Sequence, residues 1–383
     1  MITRRGWLAG VAAGARLRRR RAAAAEKYPR DLSKDDVDRW MTELSNWGKW
    51  GKEDQAGTIN LITAAKRKAA AGLVRDGVSV SLSLDADLPK EGPTSGPLPA
   101  GPGQRGGGAP GGGAPGGGAP GGGAPGGGAP AGQEGRGRGG GGGNRATWTL
   151  TSRPPGPDPR PLAAYSVDTI STSYHGNNTT HLDALSHLYY KGQLYNGFPQ
   201  SSYTDRGAGK DDVMAFQDGI FTRGVLYDIP KLKGVPYLGD DEPVYAEDLE
   251  AWEKKAGFRL ESGDAMLLRT GRWLRVKEKG PLNLNQATPG LYASTTKWMR
   301  ERGVAILGSD VVQDVRPSRV EGVNQPIHQI GLMAMGMPLI DNCDLEALSA
   351  AAAQRRRWTF LLTINPLRIP GATGGPVNPI ATF

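Results

Sequence analysis

A single cysteine in 383 residues, Cys343, rules out an intrachain disulfide and any zinc site built from thiolates. It reads as a quiet core thiol. No run approaches the ~18 consecutive apolar residues that a membrane helix needs, so no membrane span is expected. The formal charge of +9 suggests a polyanion partner until the charges are located. Arg4, Arg5, Arg16, Arg18, Arg19, Arg20 and Arg21 all fall in the first 25 residues, which hold no acid. Without those seven, 40 basic residues face 38 acidic ones, so no nucleic-acid or membrane partner is predicted for the remainder. Histidine is scarce too, with only four copies.

What is present begins with an unusual N-terminus. Thr3-Arg4-Arg5-Gly6-Trp7-Leu8 precedes the small, apolar stretch 9–15 and resembles a twin-arginine export signal. The arginine cluster 16–21 departs from that pattern, since a cleavage region is normally small and uncharged. Residues 1–27 are therefore read as an export signal or as a disordered basic tail, and the location as periplasmic or exported, otherwise cytoplasmic. Residues 28–383 are expected to form a single domain, of a length that allows a substantial core.

That domain carries a low-complexity insertion at 101–144, built on five Gly-Gly-Gly-Ala-Pro units between 106 and 130. Such a segment buries too little apolar surface to offset its ordering entropy, and it is expected to lack fixed structure. The alternating stretches 78–84 and 146–151 read as strands that the insertion joins. Thr63 is placed to cap a helix over 64–74, and Gly257 to close one over 246–256. Further strands are predicted at 224–229, 265–270, 304–308 and 358–364, with helices at 293–302 and 326–337. Strands and helices alternate, so the class is α/β, with extra antiparallel strands near the N-terminus.

Three of the four histidines fall in one run of thirteen residues, 175–187: His175, His181 and His187, with Asp183 between the last two. Imidazole and carboxylate are the usual ligands for zinc and related ions, and histidine moves protons near neutral pH. His181 and Asp183 project to one side of an extended segment. Asp183 and His187, four apart, share a face if the chain turns helical at about Leu182. A lone Asp-x-x-x-His pair is commonly a surface or capping arrangement. Three histidines with an acid favour a metal half-site, completed by His328 and Asp341 from far along the chain.

The stretch Thr180-His181-Leu182-Asp183-Ala184-Leu185-Ser186-His187 resembles the signature of the cyclase family of metal-dependent hydrolases, which includes kynurenine formamidases and isatin hydrolases. Three further segments, 47–63, 328–342 and 366–379, resemble that family's longer bacterial branch in the same order. The resemblance implies a swivelling β/β/α domain with a barrel-like β core and outer helices, assembled as a homodimer or homotetramer. It implies that His181, Asp183, His328 and Asp341 bind metal and that His187 is the catalytic proton shuttle. Metal-activated water would then hydrolyse an amide or formamide C–N bond of a small molecule, as in arylformamidases of tryptophan catabolism. The alternatives are a hydrolase of cyclic amides or lactones, and a metal-deficient binding protein on the same fold.

Two departures bear on the metal. Asn177 occupies the position of a further family histidine, and Asp341 replaces a glutamate, shifted by one residue. One divalent ion, zinc or manganese, is therefore expected in preference to two. His175 and Asn177 stand as further candidates for the metal's surroundings, and Trp47 and Trp50 for a wall against the substrate.

Overall fold

Four short runs of β-branched and aliphatic residues, buried on both faces, set the architecture. In the computed structural model, which describes residues 27–85, 147–152, 166–177 and 179–383, they form the parallel centre of a nine-stranded sheet. The N-terminal basic segment to residue 26 and the glycine-rich insertion lie outside the described residues. The strands are β1 (Ser79–Ser81), β2 (His181–Asp183), β3 (Ile220–Asp228), β4 (Ala265–Arg269), β5 (Ile306–Ser309), β6 (Leu339–Asp341), β7 (Thr359–Ile364), β8 (Gly374–Pro376) and β9 (Ile380–Thr382). Their order across the sheet is β1-β9-β7-β3-β4-β5-β6-β2-β8. Strands β3 to β6 run parallel, and every pairing outside them is antiparallel. All five residues of β4 and all four of β5 are buried, as a sheet covered on both faces requires. The curl of this sheet and its surrounding helices give the mixed α/β, half-barrel architecture expected from the sequence.

The helices close where their caps predict. Ala246–Ala256 ends at Gly257, whose φ of 74° is left-handed. Its Trp252 is buried and donates from Nε1 to the Leu226 carbonyl of β3, 2.8 Å away. Thr63 Oγ1 accepts from Lys66 N, and the helix it caps is shorter than expected, Ala64–Ala71. The helix predicted over 326–337 spans Pro326–His328 as α-helix and continues as π-helix from Gln329 to Met335, ending at Gly336.

Two expectations change. The flanks of the insertion are strands, but they do not share a sheet. Ser79–Ser81 pairs with β9, whereas Thr147–Ser152 pairs only with Ser166–Ser171 in a separate two-stranded ribbon. Alternation marks a strand and leaves its partner open. The turn to helix at Leu182 is also absent. Residues 181–183 are a strand paired on both edges, and only a three-residue 3₁₀ turn, Leu185–His187, follows. Two ladders of backbone hydrogen bonds and the burial of Leu182 outweigh any local helical tendency there.

Candidate metal centre

Register places the first ligands. In the antiparallel pair of β2 and β6, His181 faces Asp341 and Asp183 faces Leu339. Opposed residues share a side of the sheet, so His181, Asp183 and Asp341 emerge together while Leu182 and Ile340 enter the core. Asp341 ends β6, at the carboxyl edge of the parallel strands, where α/β sheets bind their ligands.

All four histidines of the chain converge on the carboxylate of Asp183. His175 Nδ1 lies 2.9 Å from Oδ1, though not aligned as a hydrogen bond, and His181 Nε2 lies 3.4 Å from the same oxygen. His328 Nε2 is 3.8 Å from Oδ2 and His187 Nε2 3.9 Å. Asp341 Oδ2 is 3.7 Å from His328 Nε2, and Gln313 Nε2 donates to the other Asp341 oxygen at 3.0 Å. Two groups of donors sit within 4.8 Å of one another, His175 with Asp183 and His187, and His181 with Asp183 and Asp341. The run of thirteen and the two distant residues are thus one cluster.

Three of the four rings are tethered from behind. His181 Nδ1 donates to the Thr179 carbonyl at 2.8 Å, which leaves Nε2 to face the cluster. His328 Nδ1 bonds Asp314 Oδ2 at 2.6 Å, and His175 Nε2 bonds Thr373 Oγ1 at 3.0 Å. A carboxylate or carbonyl behind a ligating imidazole fixes its orientation and raises its basicity. His187 is the exception. Its ring makes no hydrogen bond among the described residues; it stacks on His175 at 3.9 Å between centroids and is 30% exposed.

Electrostatics agree with a cation site. Asp183 is fully buried, and neither of its oxygens accepts a hydrogen bond among the described residues. Burial alone would raise its pKa, but His187, His175 and His181 outweigh burial and hold the carboxyl below its usual range. Burial lowers the His187 pKa below the ordinary 6.5, Asp183 opposing in part. For His328, burial is overcome by Asp314 and Asp341, which lift its pKa well above that value. An ionised, unpartnered carboxylate ringed by imidazole nitrogens costs several kcal/mol unless a positive ion joins it. The residues present fit a divalent metal.

Asn177 is not part of this cluster's contacts: its carbonyl accepts from Arg272 Nη2 at 2.6 Å. Trp47 donates from Nε1 to the Met333 carbonyl, on the helix that carries His328, and its ring lies against Gly197. Trp50 packs beside the Lys49 ammonium. A surface cavity of about 720 Å³ follows residues 316–325, and no cluster residue lines it. Behind His187, the amide of Ser186 donates to the Asp211 carbonyl at 2.9 Å. Burial, with Asp54 nearby, pushes the Asp211 carboxyl up to about 8. Asp211, Asp314, Gln313, Arg272 and Asn342 are the functional neighbours that the sequence did not single out. Only Asn342, beside Asp341, carries a local signal.

An α/β sheet with an ionised carboxylate and four imidazoles at its carboxyl edge is a candidate metal centre, and known proteins share the fold. The Cyclase family model matches residues 129–313. A solved structure described as a novel cyclase is 27% identical, with a TM-score of 0.68, covering 89% of this chain and 100% of that one. Isatin hydrolase A from Ralstonia solanacearum is 18% identical over 83% of this chain and 95% of that one, with a TM-score of 0.48. The isatin hydrolase A of Labrenzia aggregata, solved with benzyl benzoate, is 19% identical over 82% and 94%, with a TM-score of 0.49. No curated protein matches the chain. In the stretch 129–313 and in its fold the chain thus resembles the cyclase family.

Proposed function

We propose that this protein is a divalent-metal-dependent hydrolase acting on an amide or formamide C–N bond, with arylformamidase-like chemistry. The observation that carries the reading is the contrast between three hydrogen-bonded imidazoles and one, His187, that makes no hydrogen bond among the described residues. His181, His328 and His175, each fixed from behind, would hold the ion together with Asp183 and Asp341. When bound, the ion supplies Lewis acidity: it lowers the pKa of water and polarises a carbonyl.

The chain's own residues supply the rest. His187, with its pKa lowered by burial, is neutral near pH 7 and able to accept a proton at Nε2. It takes that proton from the attacking water and delivers it to the leaving nitrogen as the C–N bond breaks. Asp183, ringed by the imidazoles, keeps the site negative enough to retain a cation. His175 takes over the position that Asn177 leaves open, which favours a single tightly held ion in a five-residue donor set.

Metal analysis of the purified protein, with hydrolysis assays on N-formylkynurenine, isatin and an aryl lactone, tests this. Stoichiometric zinc or manganese and turnover of the formamide are expected. Turnover of isatin or the lactone alone would reassign the substrate to cyclic amides or esters. A folded protein that binds no divalent ion would leave a binding protein on a hydrolase fold.

A further inference from the structure

Between His175 and His181, the carbonyls of Gly176, Asn177 and Thr179 turn to two side chains. Asn342 Nδ2 donates to the Gly176 carbonyl at 2.7 Å and to the Thr179 carbonyl at 3.2 Å. Arg272 Nη2 donates to the Asn177 carbonyl at 2.6 Å, and its Nη1 to Asn342 Oδ1 at 2.6 Å and to the Asp310 carbonyl at 3.3 Å. Both side chains are buried, and among the described residues no carboxylate pairs with the Arg272 guanidinium. A buried arginine that spends its donors on neutral acceptors is there for geometry.

Each end of this arrangement is anchored. Arg272 begins the helix Arg272–Lys279, and Asp310 accepts from the amides of Gly271 and Arg272 and so fixes that N-terminus. Asn342 follows Asp341 directly and adopts a left-handed φ of 58°, a conformation Asn tolerates better than most residues. The Asn342 carbonyl in turn accepts from Thr180 Oγ1 at 2.7 Å. The Thr179 carbonyl therefore serves two donors at once: the Asn342 amide holds it, and it holds His181 Nδ1.

We propose that Arg272 and Asn342 act together as a clamp that locks Gly176, Asn177, Thr179 and Thr180 to the end of β6, fixing the His181 tautomer and the separation of the two halves of the metal site. They are positioning residues and touch no donor atom of the cluster. The clamp sets cation affinity, an inference that rests on the metal-site reading above. Lysine at 272 keeps the charge but cannot span three acceptors in a plane. Glycine at 342 keeps the left-handed backbone and removes only the amide.

The test uses the full-length chain stripped with chelator. Manganese and zinc are titrated calorimetrically into wild type, Arg272→Lys, Asn342→Gly and the double variant, with apo unfolding temperatures recorded alongside. Each single variant should lose roughly 10–100-fold in affinity, the range for groups that orient ligands. The double variant should lose little more than either single one, because the two act as a unit. Long-range ¹H–¹⁵N spectra of the four imidazoles in the metal-free protein give a second readout. His181 should be the Nδ1–H tautomer in wild type and a mixture in Asn342→Gly. Folded variants with wild-type affinity and an unchanged His181 tautomer overturn the clamp. A wild type that binds neither ion overturns the metal reading, and the tautomer comparison then decides the clamp alone.

Discussion

The His187 ring makes no hydrogen bond among the described residues, and its three counterparts do, so substitutions should separate the two kinds of histidine. Alanine at 187 is expected to lower kcat by about 10²–10⁴-fold, the usual worth of a positioned acid–base group, with metal content unchanged by elemental analysis. Alanine at 181 or 183 should remove the metal itself. The His187 pKa is lowered by burial, and the ring must be neutral to accept a proton. Activity should therefore persist down to pH 6.5 and fall only below it, which a kcat/KM profile will show. Asp211 works in the opposite sense. With its folded pKa raised to about 8, the native chain keeps a proton that the unfolded chain releases near 3.8. Stability then falls as pH rises through that window. In Asp211→Asn this part of the slope should vanish, so the variant gains unfolding temperature over wild type at pH 9 and little at pH 5.

Among the elements, β2 shows how much can be read from local pattern and where reading stops. His-Leu-Asp alternates as a strand does, and the scarcity of histidine drew attention to the run that holds His175, His181 and His187. The turn after it was misjudged because a four-residue spacing is equally compatible with helix and with a strand followed by a tight turn. The helix Ala246–Ala256 was legible to the residue because its cap is local. Asp314 was not legible: it reaches His328 from a preceding loop, through a contact that no spacing rule encodes. Asp314→Asn should weaken metal binding roughly 10–100-fold with little change in the apo unfolding temperature. The neighbouring β8 offers a matched pair of tests. A Cβ at Gly374 would sit 2.1 Å from the Leu182 carbonyl oxygen and 3.1 Å from His175 Cε1, whereas one at Gly375 meets nothing within 4 Å. Gly374→Ala should cost about 1–3 kcal/mol and displace His175, while Gly375→Ala should stay within about 0.5 kcal/mol on denaturant unfolding.

At the scale of the molecule, the donors join segments that the chain keeps far apart. Chelation should lower the unfolding temperature by several degrees, since an ion at 100 times its Kd adds about 2.7 kcal/mol to the folded state alone. Strand β2 meets β6 only after more than 150 intervening residues, including three of the four parallel strands, have been laid down. An unfolded chain therefore presents at most His175, His181, Asp183 and His187 to an ion, a weak and mobile set. Metal capture is in this sense a certificate of completed topology. Refolding with or without chelator should proceed at the same rate, with metal entering only after the sheet has closed, as stopped-flow fluorescence beside a metal-sensitive dye would show. A cell short of the ion would then accumulate a correctly folded protein awaiting its metal, with no misfolded chain to clear.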